Sequence, residues 1–187
     1  KVYTRETHVM TSLQLVRRIA TNEASDECYT PTNQIQPLLK YLDKSKTYYE
    51  ATSDKSSLIV DAFNKSGYSI VGSQGKDFFS TTQIDVYDGI ITNPPYSKKD
   101  DFIEHCYSLQ KPFALFLPVA AFQGKRRGNL FMEYGMSALV YNNRVDFTGK
   151  GAPHFGNAWF MYGFTPPNTI YWVNNPPKGD TRNHDYI

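Results

Sequence analysis

Apolar and polar positions along this chain repeat with two different periods, and the changes between them lay out its elements. Thr47-Tyr48-Tyr49-Glu50 reads as a short strand, since aromatic and β-branched side chains suit a pleated surface. Leu58, Ile59, Ala62 and Phe63 then recur at three- and four-residue spacing, one face of a helix that ends at Gly67. Tyr68 to Gly72 reads as the second strand, and a strand, helix, strand crossover builds a parallel sheet. An earlier helix starts at Pro31-Thr32 and runs through Ile35, Leu38, Leu39 and Leu42. Before it, Val9, Leu13, Val16 and Ala20 give residues 1–25 a weak helical stripe, with Arg17 and Arg18 off it.

Downstream, Ile90 and Ile91 read as a buried strand that must stop at Asn93, because Pro94 and Pro95 can continue neither a ladder nor a helix. Ser97 stands three residues before Asp100 and reads as the N-cap of a helix carrying Phe102, Ile103, Cys106 and Leu109 on one stripe. Pro112 to Pro118 is a continuous apolar run, as expected of a central parallel strand. Ser137 to Tyr141 reads as another strand, Ala158 to Phe164 as an antiparallel one, and Ile170 to Val173 as a short last strand in an irregular, proline-rich tail over 165–187. The fold class expected is α/β: a three-layer sandwich whose sheet is mostly parallel, with one antiparallel strand near its edge, in a single domain spanning 1–187.

Composition narrows the class of partner. The net charge of +2 gives no strong overall pull on a polyanion. Lys125, Arg126 and Arg127, in a basic segment after the central strand, are the local candidates for phosphate contacts, against an ordinary solvated charge cluster. Fourteen Tyr and twelve Phe suit either a dense core or a base-stacking surface. Cys28 and Cys106 have neither metal-ligand nor disulfide spacing, which points to a reducing, cytoplasmic setting, and no apolar run approaches the ~20 residues of a membrane span.

The chemistry concentrates at Asn93-Pro94-Pro95-Tyr96. The turn falls at the carboxyl end of a strand, where open α/β sheets place ligands. The Asn93 side-chain carbonyl and the Pro94 carbonyl are two acceptors for the two hydrogens of an exocyclic amine or primary amide, and Tyr96 is a flat surface for a planar group.

These four residues look like the catalytic motif of S-adenosylmethionine-dependent amino methyltransferases, and the flanks from about Glu27 to about Gly163 resemble phage-type DNA adenine N6-methyltransferases. The resemblance implies a Rossmann-like methyltransferase fold with no separate target-recognition domain, so that a partner chain or homo-oligomer supplies recognition. It implies methyl transfer to the N6 of a flipped adenine in DNA, with Asn93, Pro94, Pro95 and Tyr96 catalytic and Phe155 against the base. It places S-adenosylmethionine against Tyr29, Thr30, Pro31, Glu50, Asp77 and Phe78. On its own, Thr30-Pro31 is an ordinary helix start, and Asp77-Phe78 a loop acid before a core ring.

Two positions depart from the pattern. The loop Ala51 to Ser57 has none of the glycines that let backbone approach a cofactor, and Gln74 stands where a ribose-binding acid is expected. They keep a second reading open, a catalytically impaired nucleic-acid or partner-binding module. A third keeps the chemistry but exchanges the substrate for RNA adenine or protein glutamine. His154 is a lone loop histidine, and an amine that loses its proton after attack needs no strong base.

Overall fold

The computed structural model describes residues 30–54, 57–80, 86–145 and 155–174. The helical stripe expected within 1–25, Tyr29, Cys28, His154 and the end of the tail lie outside them. Helix α1 (Thr32–Leu39), strand β1 (Thr47–Glu50), helix α2 (Leu58–Lys65) and strand β2 (Ser69–Gly72) come first. The Ser57 hydroxyl caps α2 by accepting from Val60 N, and Gly67 ends the turn beyond it at φ 75°, a conformation that favours glycine. Strand β3 (Gly89–Thr92), helix α3 (Lys99–Ser108), strand β4 (Phe113–Pro118), helix α4 (Lys125–Tyr134) and strands β5 (Ser137–Tyr141), β6 (Asn157–Tyr162) and β7 (Ile170–Val173) follow.

The strands form one sheet in the order β2-β1-β3-β4-β6-β5-β7. Every neighbouring pair is parallel except those of β6, which runs antiparallel to both β4 and β5. The single antiparallel strand is as expected, but it stands two strands inside the edge. All of Ala158 to Met161 is at most 1% exposed, a two-sided burial that only an interior strand receives. The edge position goes to β7, whose Ile170 and Trp172 are exposed.

Helices cover both faces, so alternate strand residues enter two cores. Tyr48, Ile91, Ala114, Phe116, Leu139, Trp159 and Met161 pack with α1 and α2. Tyr49, Ile90, Phe113, Leu115, Leu117, Val140 and Phe160 pack with α3 and α4. The unbroken apolar run of β4 is thereby explained: both of its faces are interior. Each fully buried ring or branched side chain contributes roughly 1.5–3 kcal/mol.

The helix start expected at Ser97 falls elsewhere. A 3-10 turn, Tyr96–Lys98, intervenes, with Lys98 N donating to Pro95 O at 2.9 Å, and α3 begins at Lys99 without a side-chain cap. Pro95, fixed at φ −52°, starts that tighter turn and takes Ser97 into it. Asp100 and Asp101 remain in the first turn of α3 as expected. Among the described residues no helix is long and apolar enough to cross a membrane.

Candidate active site

The sheet order creates the site before any side chain is considered. From β1 the chain crosses over to β2 on one side, then returns to place β3 on the other side of β1. Beyond β1 the chain runs into α2 on one face, and beyond β3 into α3 on the other, so a crevice opens between the two carboxyl ends. Glu50 ends β1 and Thr92 ends β3 at that switch point, and Asn93 to Tyr96 follow directly.

The corner itself is rooted in the core and open at its tip. Ile90, Ile91 and Thr92 are fully buried and Pro94 is buried, whereas Asn93, Pro95 and Tyr96 are half-buried. The Tyr96 ring meets the Phe155 ring edge-on at 5.9 Å, and its hydroxyl oxygen accepts from Asn157 Nδ2 at 2.7 Å. The structure thus brings Phe155 to the corner, together with Asn157. A buried polar residue heading an otherwise apolar strand was the signal that sequence reasoning passed over.

Behind the corner lies Glu50, 2% exposed. Its Oε1 accepts from Thr92 Oγ1 at 2.6 Å and from Thr52 N at 3.1 Å, and Oε2 accepts from Ser57 Oγ at 3.3 Å. Thr52 Oγ1 lies 2.9 Å from Glu50 Oε1, 2.8 Å from Thr92 Oγ1 and 3.2 Å from Asn93 O, and its one proton serves one of them at a time. Burial pushes the Glu50 carboxyl above the usual range, and the bonds from Thr92, Thr52 and Ser57 oppose that rise. The carboxyl therefore ties β1, its following loop and β3 together.

The glycine-free loop after β1 is closed in an unexpected way. Ser53 O accepts from Gly75 N at 3.0 Å and Ser73 Oγ at 2.9 Å, and Ser53 Oγ accepts from Gln74 N at 3.2 Å. A Cβ on Gly72 would stand 2.4 Å from Ser53 Oγ. Close approach is thus supplied from the opposite side, by Gly72, while Gly75 at φ 81° makes the turn that brings its N–H to Ser53 O. Gln74, at φ 54°, is exposed at the end of β2. Asp77 is exposed and accepts from Phe79 N at 3.3 Å. Phe78 turns into the core, 3% exposed and stacked on Phe102 at 5.3 Å, while Phe79 stays at the surface.

Thr30 and Pro31 reach the same end of the sheet through α1. Tyr141 at the end of β5 and Trp159 Nε1 of β6, at 2.9 Å, both donate to Gln34 O, which moors the first turn of α1 at the strands' carboxyl ends. Thr30 is 2% exposed, and its Oγ1 has no hydrogen-bond partner among the described residues. The basic segment is placed apart from these groups, along the α3–α4 contact. Arg126 pairs with Asp101 at 2.7 Å and with Glu104. Arg127 pairs with Asp100 at 2.7 Å and donates to Ala121 O at 2.7 Å, and Lys125 is exposed. Among the described residues no group of three or more His, Cys, Asp or Glu could hold a metal ion.

No protein-family model matches the chain, and no curated protein matches it. Solved structures do. A "modification subunit of a putative type I restriction enzyme" from Vibrio vulnificus YJ016 is 12% identical with a TM-score of 0.54, over 95% of this chain and 56% of that one. A "putative class I S-adenosylmethionine-dependent methyltransferase" from Listeria monocytogenes is 12% identical with a TM-score of 0.51, over 87% and 71%. The chain spans a little more than half the length of the Vibrio subunit. The fold is the Rossmann-like methyltransferase fold.

Proposed function

We propose that this chain transfers a methyl group from S-adenosylmethionine to the N6 amine of adenine in DNA. The observation that carries the reading is the Asn93-Pro94-Pro95-Tyr96 corner, half-open at the β1/β3 switch point of a methyltransferase-type fold. Where a cofactor fits is suggested by the buried Thr30 hydroxyl, which has no partner among the described residues and lies at the same end of the sheet. Thr30 and Pro31 hold its methionine end in this reading, with Tyr29 preceding them, and Gln74 and Asp77 reach its nucleoside end through exposed polar groups.

Asn93 Oδ1 and Pro94 O accept the two amine hydrogens of an extruded adenine, which draws the nitrogen lone pair out of ring conjugation. Pro94 and Pro95 hold these acceptors in place beforehand, and the Tyr96 and Phe155 rings receive the base. S-adenosylmethionine, when bound, would supply an electrophilic sulfonium methyl with a neutral thioether as its leaving group; Asn93 and Pro94 would hold the accepting nitrogen toward it, and the proton that nitrogen sheds would pass to water. Glu50 acts at one remove, holding Thr52 and Thr92 beneath Asn93. Phe78 supports the site from within the core, and of the basic segment Lys125, exposed and outside the ion pairs of Arg126 and Arg127, is the candidate for a phosphate contact. A second copy or a partner chain supplies target recognition.

Radiolabelled methyl incorporation into unmethylated duplex DNA, RNA and cell protein, run side by side, tests the reading. Incorporation into DNA at adenine N6 supports it; label confined to RNA or to protein glutamine transfers the chemistry to that substrate. The closed loop around Ser53 favours one other reading, a binding module without activity. Calorimetry at millimolar S-adenosylmethionine separates the two, and absence of binding to folded protein ends the enzymatic one.

A further inference from the structure

Asn157 opens β6 opposite Pro118 of β4 and is 2% exposed. The four residues after it, Ala158, Trp159, Phe160 and Met161, are apolar and interior, so the one buried amide of the strand stands at its mouth, beside the Asn93 corner. The two ends of that amide are in unlike situations. Nδ2 donates to the Tyr96 hydroxyl oxygen at 2.7 Å. Oδ1 is buried and accepts no hydrogen bond among the described residues. A buried carbonyl without a donor is costly, and an amide kept only for packing would be satisfied at both ends or exchanged for an apolar side chain.

We infer that Asn157 is a residue of the acceptor pocket: its Nδ2 holds the Tyr96 ring in place against Phe155, and its Oδ1 shares one amine hydrogen of the flat group that Tyr96 stacks, as the second acceptor of a three-centre bond. The inference rests on the methyl-transfer reading and deepens it. Asn93 and Pro94 address the reacting amine, and Asn157 adds an acceptor on a neighbouring strand. Together they select a planar heterocycle that presents hydrogen-bond donors at its edge, as adenine does through its amine. Tyr96 then has an imposed orientation, because one bond at its hydroxyl and one edge-on ring contact fix both the tilt and the reach of the phenol.

The test compares the full-length wild type with Asn157→Ala, Tyr96→Phe and the double variant. The readouts are kcat and KM for methyl transfer to unmethylated duplex DNA, calorimetric affinity for S-adenosylmethionine, and thermal melting. Asn157→Ala is expected to lower kcat/KM for DNA by about tenfold or more. Tyr96→Phe, which breaks the same bond from the half-exposed side, is expected to lower it about three- to tenfold. Cofactor affinity stays at the wild-type value in both, and the double variant loses no more than Asn157→Ala alone, because the two changes remove one shared bond. Wild-type kinetics in either single variant, losses that multiply, or an equal fall in cofactor affinity overturn the inference while leaving the enzymatic reading intact. If Asn157→Ala does not fold, Tyr96→Phe decides alone. A wild type that binds S-adenosylmethionine but labels no DNA overturns the assigned substrate, and this inference with it.

Discussion

Tyr96 and Glu50 divide the work of the corner at the scale of single residues. Tyr96 is half-buried, touched edge-on by Phe155 and anchored at its hydroxyl, and in the proposed reading its ring takes the base. Tyr96→Ala should raise KM for DNA about tenfold, from the loss of one base–aromatic stack, and leave S-adenosylmethionine affinity unchanged by calorimetry. Equal losses in both would remove Tyr96 from the base. Glu50 is interior, and burial raises its carboxyl above the ordinary value near 4.5. An acid whose folded value is raised contributes stability that is fully present below its unfolded value and is lost as pH climbs through the folded one. Glu50→Gln should therefore match the wild type in thermal melting at pH 4 and gain on it as pH rises from about 4.5 through that raised value. Parallel profiles from pH 4 to 8 would show that folding leaves the titration of this carboxyl unchanged and would refute the rise.

Between elements, two contacts set the shape of the crevice. The loop after β1 and the turn after β2 are joined through Ser53, which Gly72 admits by lacking a side chain. Gly72→Ala forces a Cβ to within 2.4 Å of Ser53 Oγ. The expected cost is about 1–3 kcal/mol in urea unfolding, and Gly72→Ala with Ser53→Gly should recover most of it. The helices α3 and α4 are tied by Arg127, whose side chain is 12% exposed and bonds Asp100, Ala121 O and Gln123 O. Arg127→Ala is expected to cost about 1–3 kcal/mol, since the accepting carbonyls and Asp100 lose a charged donor. Arg126, 48% exposed between Asp101 and Glu104, is solvated, and Arg126→Ala should leave melting unchanged. The reverse ranking would place Arg126, not Arg127, at the centre of the α3–α4 contact.

Across the whole molecule, charge is nearly balanced at +2, and two of the three basic residues after β4 are engaged with acids of α3. Of that segment only Lys125 stands outside these ion pairs, which leaves it little with which to displace counterions from a duplex. DNA affinity should therefore fall only gently with salt, with a log–log slope of about −2 to −3 between 50 and 200 mM. A slope several-fold steeper, measured by anisotropy on duplex DNA, would show that a larger basic surface takes part.

Periodicity and proline chemistry were enough to lay out the strands, the helices and the corner, because they act over a few residues. β1 and β5 fall on the bounds read from the apolar pattern, and the strand carrying Ile90 and Ile91 stops before the prolines because proline offers no ladder N–H. Ser97 misled even at short range, since a prolyl turn and a capped helix share the same signature until the backbone bonds are known. What a linear pattern does not hold is which distant groups satisfy one another. Thr92 meets Glu50 across 42 residues and Asn157 meets Tyr96 across 61, encounters fixed only by the sheet order that places β1 beside β3 and β6 beside β4. The same order decided that the arginines face α3 and that Phe78 faces inward, because burial and charge pairing are properties of packed neighbours rather than of spacing along the chain.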